Sequence, residues 1–382
     1  MRIAIFSECY TPVTNGVVTS IVTLRKTLCD WGHTVYVFAP GDIQPDEEDV
    51  FRFPEFSFPR HPFHLARPFP RLPVDFASLG VDVIHCQHPF TIGRLGAEIA
   101  RRHKLPMVYT AHSLYDEMAA SSKSTFVRRV GQPAVRGFVR RFCARANAVI
   151  VPSRHTLEAL IADGVYASFY VAPTGVPPLP PSLNGRKRVR QSLDLADDTP
   201  LLLYTGRLGP EKHVELLLHM VVALQERGLP APLNKFRLAI VGDGQCRAVL
   251  ETLAAGLHLQ DRVVFTGTQQ HADIADWYAA ADIFTLASPA ETQGLVLIEA
   301  MQTGLPCVAV DQGGPTEIVA DGKTGRLVPF DAQAFADAVE ELLRDPVKRK
   351  QYGERGHVIA QCYTPESMAS GVLEVYEKVI GR

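Results

Sequence analysis

Short runs rich in β-branched residues alternate with longer amphipathic stretches along nearly the whole chain, and this alternation constrains the fold most. The strand-like runs form one set in each half of the chain: Arg2–Phe6, Thr34–Phe38, Val81–His85, Pro106–Thr110 and Ala148–Val151, then Leu201–Thr205, Phe236–Val241, Val263–Thr266, Ile283–Ala287 and Pro306–Val310. Strands that alternate with helical stretches of this length predict parallel sheets with right-handed crossover connections. Two such sets predict an α/β protein with two Rossmann-like domains.

The boundary between the halves is predicted in the proline-rich segment 172–190, which ends in a basic run. Such a segment behaves as a semi-rigid linker, and 382 residues are too many for one ordinary core. We expect a first domain over residues 1–178, a second over 190–363, and a C-terminal helix at about 364–382 that packs back on the first. Segment 51–76 mixes Phe, Pro, His and Arg without a period, which predicts a long loop with little regular structure.

Composition excludes several classes of protein. Hydrophobic residues make up 46% of the chain and charged residues 21%, which is typical of a globular protein rather than a disordered one. No apolar run approaches the roughly 20 residues of a membrane-spanning helix, and the strand-like start shows no signal-peptide pattern, so we expect a cytoplasmic protein. The seven cysteines include no C-x-x-C pair, which predicts reduced thiols rather than disulfides or a zinc site.

The net charge of −2 conceals an asymmetry between the halves. Residues 1–190 hold 23 Lys+Arg and 15 Asp+Glu, a net of +8, whereas the remainder holds 16 and 26, a net of −10. An uneven distribution of net charge between domains gives information about binding partners rather than about the fold. The basic half is suited to an anionic lipid, a nucleic acid or an anionic acceptor.

The first motif with chemical meaning follows a predicted strand and opens a helix, over residues 204–212. It places Arg207 and Lys212 at the carboxyl edge of the second predicted sheet, where open α/β sheets bind ligands. An arginine fork and a lysine point charge together suit a diphosphate. The alternative for this pair alone is a solvated arginine and lysine beside a helix start.

The second motif spans residues 287–301, where a strand ends, a loop carries Glu291 and a helix begins near Gly294. The free N–H groups of Gly294, Leu295 and Val296 predict an anion site for phosphate. Glu291 lies just before that site, placed to accept hydrogen bonds from sugar hydroxyls, and Glu299 lies two turns further on. The alternative is a pair of ordinary carboxylates that flank a helix.

Glu291 and Glu299 form a Glu-x7-Glu motif, and with Gly-Arg-Leu-x-x-Glu-Lys they make the chain resemble glycosyltransferase family 4. The resemblance covers essentially the whole chain, and further segments carry it: Thr11–Val18, Gly242–Gly244, Gly313–Glu317 and Asp321–Gly325. It implies the GT-B fold, in which two Rossmann-like domains face each other across a cleft. The donor then lies against the second domain and the acceptor against the first.

The resemblance also implies roles for single residues. Arg207 and Lys212 contact the diphosphate, Glu291 the hexose and Glu299 the ribose. The resemblance also places two glycines beside the nucleotide: Gly16 from the first domain and Gly242 from the second. His112, which follows a strand, matches a family histidine near the reacting sugar; a histidine at such a place is otherwise often structural.

Retention at the anomeric carbon is the mechanism that the resemblance implies. No Asp or Glu is placed as a covalent nucleophile, unlike the paired carboxylates of retaining hydrolases. We therefore expect a dissociative front-face transfer in which Arg207, Lys212 and the helix N-terminus stabilise the leaving diphosphate. The departing phosphate oxygen takes the acceptor proton. Because the chain contains no Asp-x-Asp pair, we expect no essential divalent metal and no other cofactor.

Residues 118–157 hold eight Lys+Arg and no Asp or Glu, which indicates a basic surface. One helical face is predicted to be apolar and the other basic: Val127, Val130, Ala134, Phe138 and Phe142 against Arg129, Arg136 and Arg140. Pro133 indicates either two helices or one that begins there. This pattern suits an anionic bilayer surface. A core-facing helix with a solvated basic face remains the alternative.

Two further features favour a lipid acceptor. Phenylalanines and arginines interleave in a predicted acyl-contacting loop: Phe53, Phe56, Phe58, Phe63, Phe69 and Phe76 with Arg52, Arg60, Arg67 and Arg71. Residues 291–296 and 110–117 resemble the family branch that glucosylates diacylglycerol, although that branch more often has Thr where Ser113 stands. We expect transfer of glucose from UDP-glucose to such a lipid, by a protein at the inner face of the membrane.

Other functions remain open at this point. A GDP-mannose-dependent mannosyltransferase that acts on phosphatidylinositol or a soluble glycan shares the donor motifs. A sugar-nucleotide epimerase of the same fold changes the donor without an acceptor. A non-catalytic protein that binds nucleic acid through the basic patch is the third alternative, but the chain has no compact RRM, KH or zinc signature, so we expect no nucleic acid partner.

Overall fold

Parallel strands with helical connections make up both parts of the computed structural model, which describes residues 1–43, 47–57, 64–66, 71–114, 131–180 and 182–381. The chain divides into a first unit, Met1–Pro177 with Thr364–Arg382, and a second unit, Pro178–Tyr363. The prediction of two Rossmann-like α/β domains is confirmed.

The strands, in chain order, are β1 Arg2–Phe6, β2 Thr34–Pro40, β3 Val50–Phe53, β4 Glu55–Ser57, β5 His64–Ala66, β6 Val83–Cys86, β7 Met107–Thr110, β8 Ala148–Val151, β9 Phe169–Val171, β10 Leu201–Thr205, β11 Arg237–Val241, β12 Val263–Gly267, β13 Ile283–Leu286, β14 Cys307–Val310 and β15 Gly325–Val328. The α-helices are α1 Gly16–Asp30, α2 Thr91–His103, α3 Gln132–Cys143, α4 Arg154–Ala162, α5 Gly185–Ser192, α6 Val214–Glu226, α7 Arg247–Gly256, α8 His271–Ala280, α9 Leu295–Gln302, α10 Pro315–Ile318, α11 Ala332–Arg344, α12 Pro346–Ala360 and α13 Pro365–Ile380. Single 3-10 turns lie at Phe76–Leu79, Pro210–Lys212 and Leu233–Lys235.

The first unit is built on a seven-stranded parallel sheet in the order β3-β2-β1-β6-β7-β8-β9. Its central strands are apolar at nearly every position because both faces are buried. Ile3, Ile5 and Val83 pack with residues of α1 and with Val372 and Tyr376 of α13 in one hydrophobic cluster. The C-terminal helix is therefore part of the core of the first unit.

The segment that was predicted as a long loop contains strands. Residues 50–53 form β3, which pairs with β2, and Phe53 is buried beside Phe38. Phe76 is also in this core, and Arg52 is buried and paired with Glu47. The acyl-contacting role is therefore wrong for these residues, because their side chains stabilise the interior. Part of the predicted loop lies outside the described residues: Phe58, Phe63, Phe69, Arg60 and Arg67.

Helix α3 begins at Gln132, one residue before Pro133, and residues 115–130, where the first of two helices would lie, are outside the described part of the chain. Its buried side chains are Val139, Phe142 and Cys143. Ala134 is exposed, so the predicted apolar face is displaced around the helix. One of the predicted basic residues, Arg136, is bound by Asp163 at 2.9 Å. The other predicted residues of this face, Val127, Val130 and Arg129, lie outside the described part of the chain.

The second unit has a six-stranded parallel sheet in the order β12-β11-β10-β13-β14-β15. It begins at Pro178 rather than at 190, because the basic run of the expected linker forms α5, which packs against α8. Arg190 is only 1% exposed; its Nη2 donates to the Ala196 carbonyl at 2.7 Å, and its Nη1 lies 3.6 Å from Asp282. A run of four cations is thus part of a domain rather than a linker.

The observed division changes the charge balance. The first unit holds 21 Lys+Arg and 18 Asp+Glu, a net of +3, and the second holds 18 and 23, a net of −5. The asymmetry is smaller than the sequence halves indicated, because α5 takes its arginines to the second unit and α13 brings glutamates to the first. Among the described helices, none has the length and apolar character that crossing a bilayer requires.

Candidate active site

The candidate donor site of the second unit lies where β10 and β13 end side by side. The sheet order runs outward from these two strands in opposite directions, so this is the topological switch point at which open α/β sheets bind ligands. The loop after β10 carries Arg207 and Lys212, and the loop after β13 carries Glu291. The structure therefore brings the two sequence motifs to one sheet edge.

Lys212 and Glu291 form an ion pair, with Nζ donating to Oε1 at 2.6 Å. Both side chains are mostly buried, 22% and 16% exposed respectively. Ser288 donates to the carbonyl of Glu211 at 3.1 Å and ties the two loops together. Arg207 is more exposed and pairs with Glu211 at 2.5 Å. Two cations and two carboxylates thus lie within one small region, where an anionic ligand can compete with Glu291 and Glu211 for the cations.

Helix α9 begins beside this ion pair. Gly294 has a φ of 91°, a left-handed conformation that favours glycine, and no side chain of the described residues caps the helix. The first N–H groups of the helix, at Leu295 and Val296, carry the positive end of its dipole. Next to it the Gly314 N–H donates to the Glu291 carbonyl at 2.7 Å, which fixes the loop that carries Glu291.

Glu299 projects from α9 toward a residue that the sequence did not reveal. Tyr278 donates from its hydroxyl to Glu299 Oε2 at 2.6 Å and lies 2.7 Å from the Thr205 hydroxyl at the end of β10. Burial raises the pKa of Glu299, although the hydrogen bond from Tyr278 opposes this shift. No spacing rule in the sequence joins a helix tyrosine to this carboxylate, because the contact is formed by the packing of α8 and α9.

Gly242 has a structural role that is visible in the backbone. Its φ is 140°, and a Cβ at this position would lie 1.9 Å from the Gly206 carbonyl oxygen. The same approach allows Leu208 N–H to donate to the Asp243 carbonyl at 2.9 Å. Gly242 therefore permits the loop that carries Arg207 to lie against the end of β11. Direct contact between Gly242 and a nucleotide stays a prediction.

In the first unit, Gly16 is the first residue of α1. The helix start is fixed because the Asn15 side chain accepts a hydrogen bond from the Val18 N–H at 2.9 Å. The loop before it is held by Arg52, whose Nη2 donates to the Thr11 carbonyl at 2.7 Å. The predicted phosphate approach of Gly16 stays a prediction.

His112 follows β7 and is buried. Its Nε2 lies 2.6 Å from Oε1 of Gln87, the residue that follows β6. Burial, with smaller contributions from His88 and His85, lowers the pKa of His112 to about 3. The ring is therefore neutral at physiological pH, and it can act through hydrogen bonds rather than through charge.

A buried glutamate at the same sheet edge was missed by the sequence reasoning. Glu8 follows β1 and accepts hydrogen bonds from the first turn of α2, from Ile92 at 2.5 Å and Gly93 at 3.4 Å. Burial raises its pKa to about 7, and its N–H donates to His88 Nδ1 at 3.2 Å. The position two residues after the first strand was the available signal, but nothing in the sequence showed that the carboxylate is buried.

Within the described ranges, no three His, Cys, Asp or Glu side chains are grouped so that they could hold a metal ion. Metal-independent transfer stays a prediction that a chelator tests.

Two family models match the chain: Glycosyltransferase Family 4 over residues 14–178, and Glycosyl transferases group 1 over residues 185–358. An alpha-monoglucosyldiacylglycerol synthase of Streptococcus pneumoniae is 31% identical over 91% of this chain and 79% of that protein. One of Acholeplasma laidlawii is 28% identical over 93% and 89%. A GDP-mannose-dependent alpha-mannosyltransferase of Mycobacterium tuberculosis is 30% identical over 100% and 98%.

Solved structures confirm the predicted GT-B fold. Anabaena HepE in complex with UDP has a TM-score of 0.77 at 22% identity, over 99% of this chain and 100% of that one. A sucrose-phosphate synthase from Thermosynechococcus elongatus has a TM-score of 0.75 at 23% identity, over 100% and 99%. At these identities the likeness concerns the fold alone.

Proposed function

The chain belongs to glycosyltransferase family 4, and on this premise we propose that it is a retaining hexosyltransferase that transfers glucose from UDP-glucose to a membrane lipid such as diacylglycerol. The observation that carries the donor half of this proposal is the Lys212–Glu291 pair beside the uncapped start of α9. The acceptor half is supported by the two relatives named alpha-monoglucosyldiacylglycerol synthase.

The donor diphosphate replaces Glu291 as the partner of Lys212. Arg207 and the N–H groups of Leu295 and Val296 add hydrogen bonds to its oxygens, and each preorganised donor of this kind typically stabilises developing negative charge by about 3 kcal/mol. Glu291 is thereby released to accept hydrogen bonds from the hexose hydroxyls. Glu299, oriented by Tyr278, accepts from the ribose.

Transfer then proceeds on one face of the sugar. The bond from C1 to the diphosphate oxygen breaks, the acceptor oxygen bonds to C1 from the same face, and the acceptor proton passes to the departing phosphate oxygen. His112 supports the reacting sugar as a neutral hydrogen-bonding group, since the pKa of His112 is about 3. No divalent metal is required in this scheme, because cationic side chains and helix N–H groups neutralise the leaving group.

A peripheral position at the cytoplasmic face of the membrane accompanies the lipid acceptor. The last turn of α3 and the second residue after it present Arg140, Arg141 and Arg145 as exposed cations. Clustered cations of this kind bind anionic lipid surfaces at about 1 kcal/mol each.

A second candidate function is supported by one observation. The GDP-mannose-dependent alpha-mannosyltransferase of Mycobacterium tuberculosis matches over the whole of this chain. The same donor-site cations serve either nucleotide diphosphate, so this alternative differs in the base, the sugar and the acceptor.

One incubation separates these functions. Purified protein and a Glu291→Ala control receive labelled UDP-glucose, UDP-galactose or GDP-mannose with diacylglycerol in anionic vesicles and EDTA. We expect label from UDP-glucose in the organic phase, absent in the control. Parallel incubations replace diacylglycerol by phosphatidylinositol or a soluble glycan; label transferred there from GDP-mannose establishes the alternative, and a converted donor without transfer establishes an epimerase. Donor hydrolysis without organic label excludes diacylglycerol, and loss of transfer with EDTA alone contradicts the metal-free scheme.

A further inference from the structure

Two hydrogen-bonded side-chain pairs join neighbouring strands β6 and β7 at their carboxyl ends. His85 Nε2 lies 2.6 Å from the Thr110 hydroxyl, and Gln87 Oε1 lies 2.6 Å from His112 Nε2. The parallel ladder continues past both strands, since Gln87 N–H donates to the Phe6 carbonyl and Ala111 N–H to the Ile150 carbonyl. Side chains two residues apart therefore share a face, and the two pairs form one polar ladder.

The C-terminal helix α13 contacts this polar ladder at the end formed by His85. The Tyr376 hydroxyl lies 2.6 Å from His85 Nδ1, and the two rings meet edge to face at 5.5 Å. Tyr376, His85 and Thr110 are all buried, within a face that is otherwise lined by apolar side chains. Both ring nitrogens of His85 are engaged, so its orientation is fixed.

We propose that Gln87 is a positioning residue that holds His112 in the tautomer with the proton on Nε2, and that the Tyr376–His85–Thr110 part of the ladder fixes the strand end from which His112 extends. The proposal rests on the proposed function, because it assigns to Gln87 the orientation of the histidine placed at the reacting sugar.

The chemistry of an amide carbonyl determines the tautomer. Gln87 Oε1 can only accept a hydrogen bond, so the proton of a neutral His112 lies on Nε2 and Nδ1 is an acceptor atom. An amide adds no charge, unlike a carboxylate, and therefore leaves the ring neutral. The titratable side chains His85 and His88 also disfavour the charged form of His112.

The burial and the hydrogen bonding of the Gln87 amide indicate that its contact with His112 has a positioning role. It is 2% exposed, and its own Nε2 has no hydrogen-bond partner among the described residues. Buried amide groups normally satisfy both ends. The buried Gln87 amide here is satisfied only at the oxygen that faces His112, which is expected if that contact is the function of the residue.

The test compares Gln87→Met, which keeps the length and removes the acceptor, with Gln87→Glu, which keeps the acceptor and adds charge. Gln361→Met, at an exposed position after α12, is the matched control. Long-range ¹H–¹⁵N NMR of the ring nitrogens, assigned with His112→Asn, reports the tautomer without substrate. We expect an Nε2-protonated ring in the wild type, loss of this single tautomer in Gln87→Met, and protonation of His112 at a higher pH in Gln87→Glu.

Kinetics supply the second readout. Hydrogen-bond partners that orient metal-binding histidines typically contribute about 10- to 100-fold to activity; by analogy, kcat of Gln87→Met should fall by that amount with the KM for the donor nearly unchanged. Tyr376→Phe should reduce kcat less. The control should match the wild type in both measurements.

Three results overturn the proposal: a wild-type ring protonated on Nδ1, an unchanged tautomer in Gln87→Met, or an unchanged His112 titration in Gln87→Glu. The wild-type spectrum decides even if a variant does not fold. Wild-type protein that transfers no hexose overturns the proposed function instead, while the NMR still decides the tautomer.

Discussion

In the Lys212–Glu291 pair, each side chain has one partner in the ligand-free protein and a different partner in the proposed ligand complex. Each side chain is mostly buried, and an unpaired charge in a buried position is unfavourable. The pair keeps both charges compensated until a diphosphate takes over the lysine. Opposite charges that are already desolvated need little reorganisation when the ligand arrives.

Glu291→Gln tests this pair. The variant keeps the shape of the side chain but weakens its acceptor strength toward hydroxyls and leaves Lys212 without a counter-charge. We expect the transfer rate to fall by at least about 100-fold, the size of effect that follows loss of one preorganised electrostatic group. Initial rates at saturating donor measure it. Glu251→Gln, on the exposed surface of α7, should be neutral; comparable losses in both variants would contradict the assignment.

Glu8 predicts a pH dependence of stability. Burial raises the pKa of Glu8 to about 7 from 4.5. The stability that this shift contributes is therefore fully present below about pH 4.5, where Glu8 is protonated, and is lost as the pH rises through 7. The change is about 3 kcal/mol at most. The buried His85, with a pKa of about 3, has the opposite trend, because its contribution is lost as the pH falls below 6.5.

The Glu8→Gln variant isolates this contribution. Its melting temperature relative to the wild type should rise from pH 5 to pH 8, since glutamine avoids the buried charge. Differential scanning calorimetry at closely spaced pH values measures it. The histidine effects cancel in the difference between the two proteins. A pH-independent difference would show that Glu8 titrates normally.

At the scale of single elements, glycines set how closely strand ends approach each other. Gly242 and Gly244 both lie against the loop that follows β10, where a Cβ would lie 1.9 Å from the Gly206 oxygen and 2.5 Å from the Leu208 oxygen. The donor-site loop can therefore pack on β11 only if these side chains are absent.

Gly242→Ala should destabilise the protein by about 1–3 kcal/mol, because the new methyl must displace backbone. It should also lower affinity for the donor, since the loop that carries Arg207 moves. Gly256→Ala is the matched control, because nothing lies within 4 Å of its Cβ position and it ends α7. Thermal unfolding and donor titration compare the two; equal melting temperatures would contradict the packing argument.

Helix α3 combines an interior face with an exposed basic end. Replacing Arg140, Arg141 and Arg145 by Ser should weaken binding to anionic vesicles by about 1 kcal/mol per residue, and high salt should weaken the wild type in the same way. Vesicle sedimentation measures the binding of both proteins to anionic vesicles.

The control for the α3 variant replaces three exposed cations of the second unit, Lys187, Lys235 and Arg355. Both variants lose the same net charge. Equal weakening would show a general charge effect, and no weakening in either would leave α3 a core-facing helix with a solvated face.

At the scale of the whole molecule, the first unit is completed by a helix that is distant in the sequence. Helix α13 contributes Met368, Val372, Val375 and Tyr376 to a core shared with α1 and the sheet. Each buried side chain of this size stabilises a fold by about 1.5–3 kcal/mol, so together they rival the entire stability of a typical domain.

Truncation after Tyr363 should therefore unfold the first unit. Hydrogen exchange measured by mass spectrometry should show loss of protection in β1, β6 and β7. A chain that lacks only residues 381 and 382 should behave as the wild type. Retained protection in the truncated chain would mean that α13 is dispensable.

The periodic parts of the sequence predicted their structures well. Local alternation and fixed spacing, which are readable along the chain, underlie the strand runs predicted at 2–6, 106–110 and 201–205 and the motif from Glu291 to Glu299. Segment 50–57 was misjudged because its aromatic residues find partners on β2 that no local pattern reveals. The run 185–190 was misjudged because charged residues normally indicate solvent exposure, whereas Arg190 is buried and donates to the Ala280 carbonyl, which is distant in the chain.

The sequence by itself determined the fold class, the family and the two motifs that carry Arg207, Lys212, Glu291 and Glu299, because these depend on periodicity and spacing within short segments. Only the tertiary structure decided that Lys212 binds Glu291, that Tyr278 orients Glu299, and that Gln87 and His112 share a hydrogen bond. It also decided that the second unit contains the basic run, whereas the placement of the C-terminal helix on the first unit was predicted from the sequence. Each of these facts is a contact between residues far apart in the chain, and such contacts arise from the packing of completed elements.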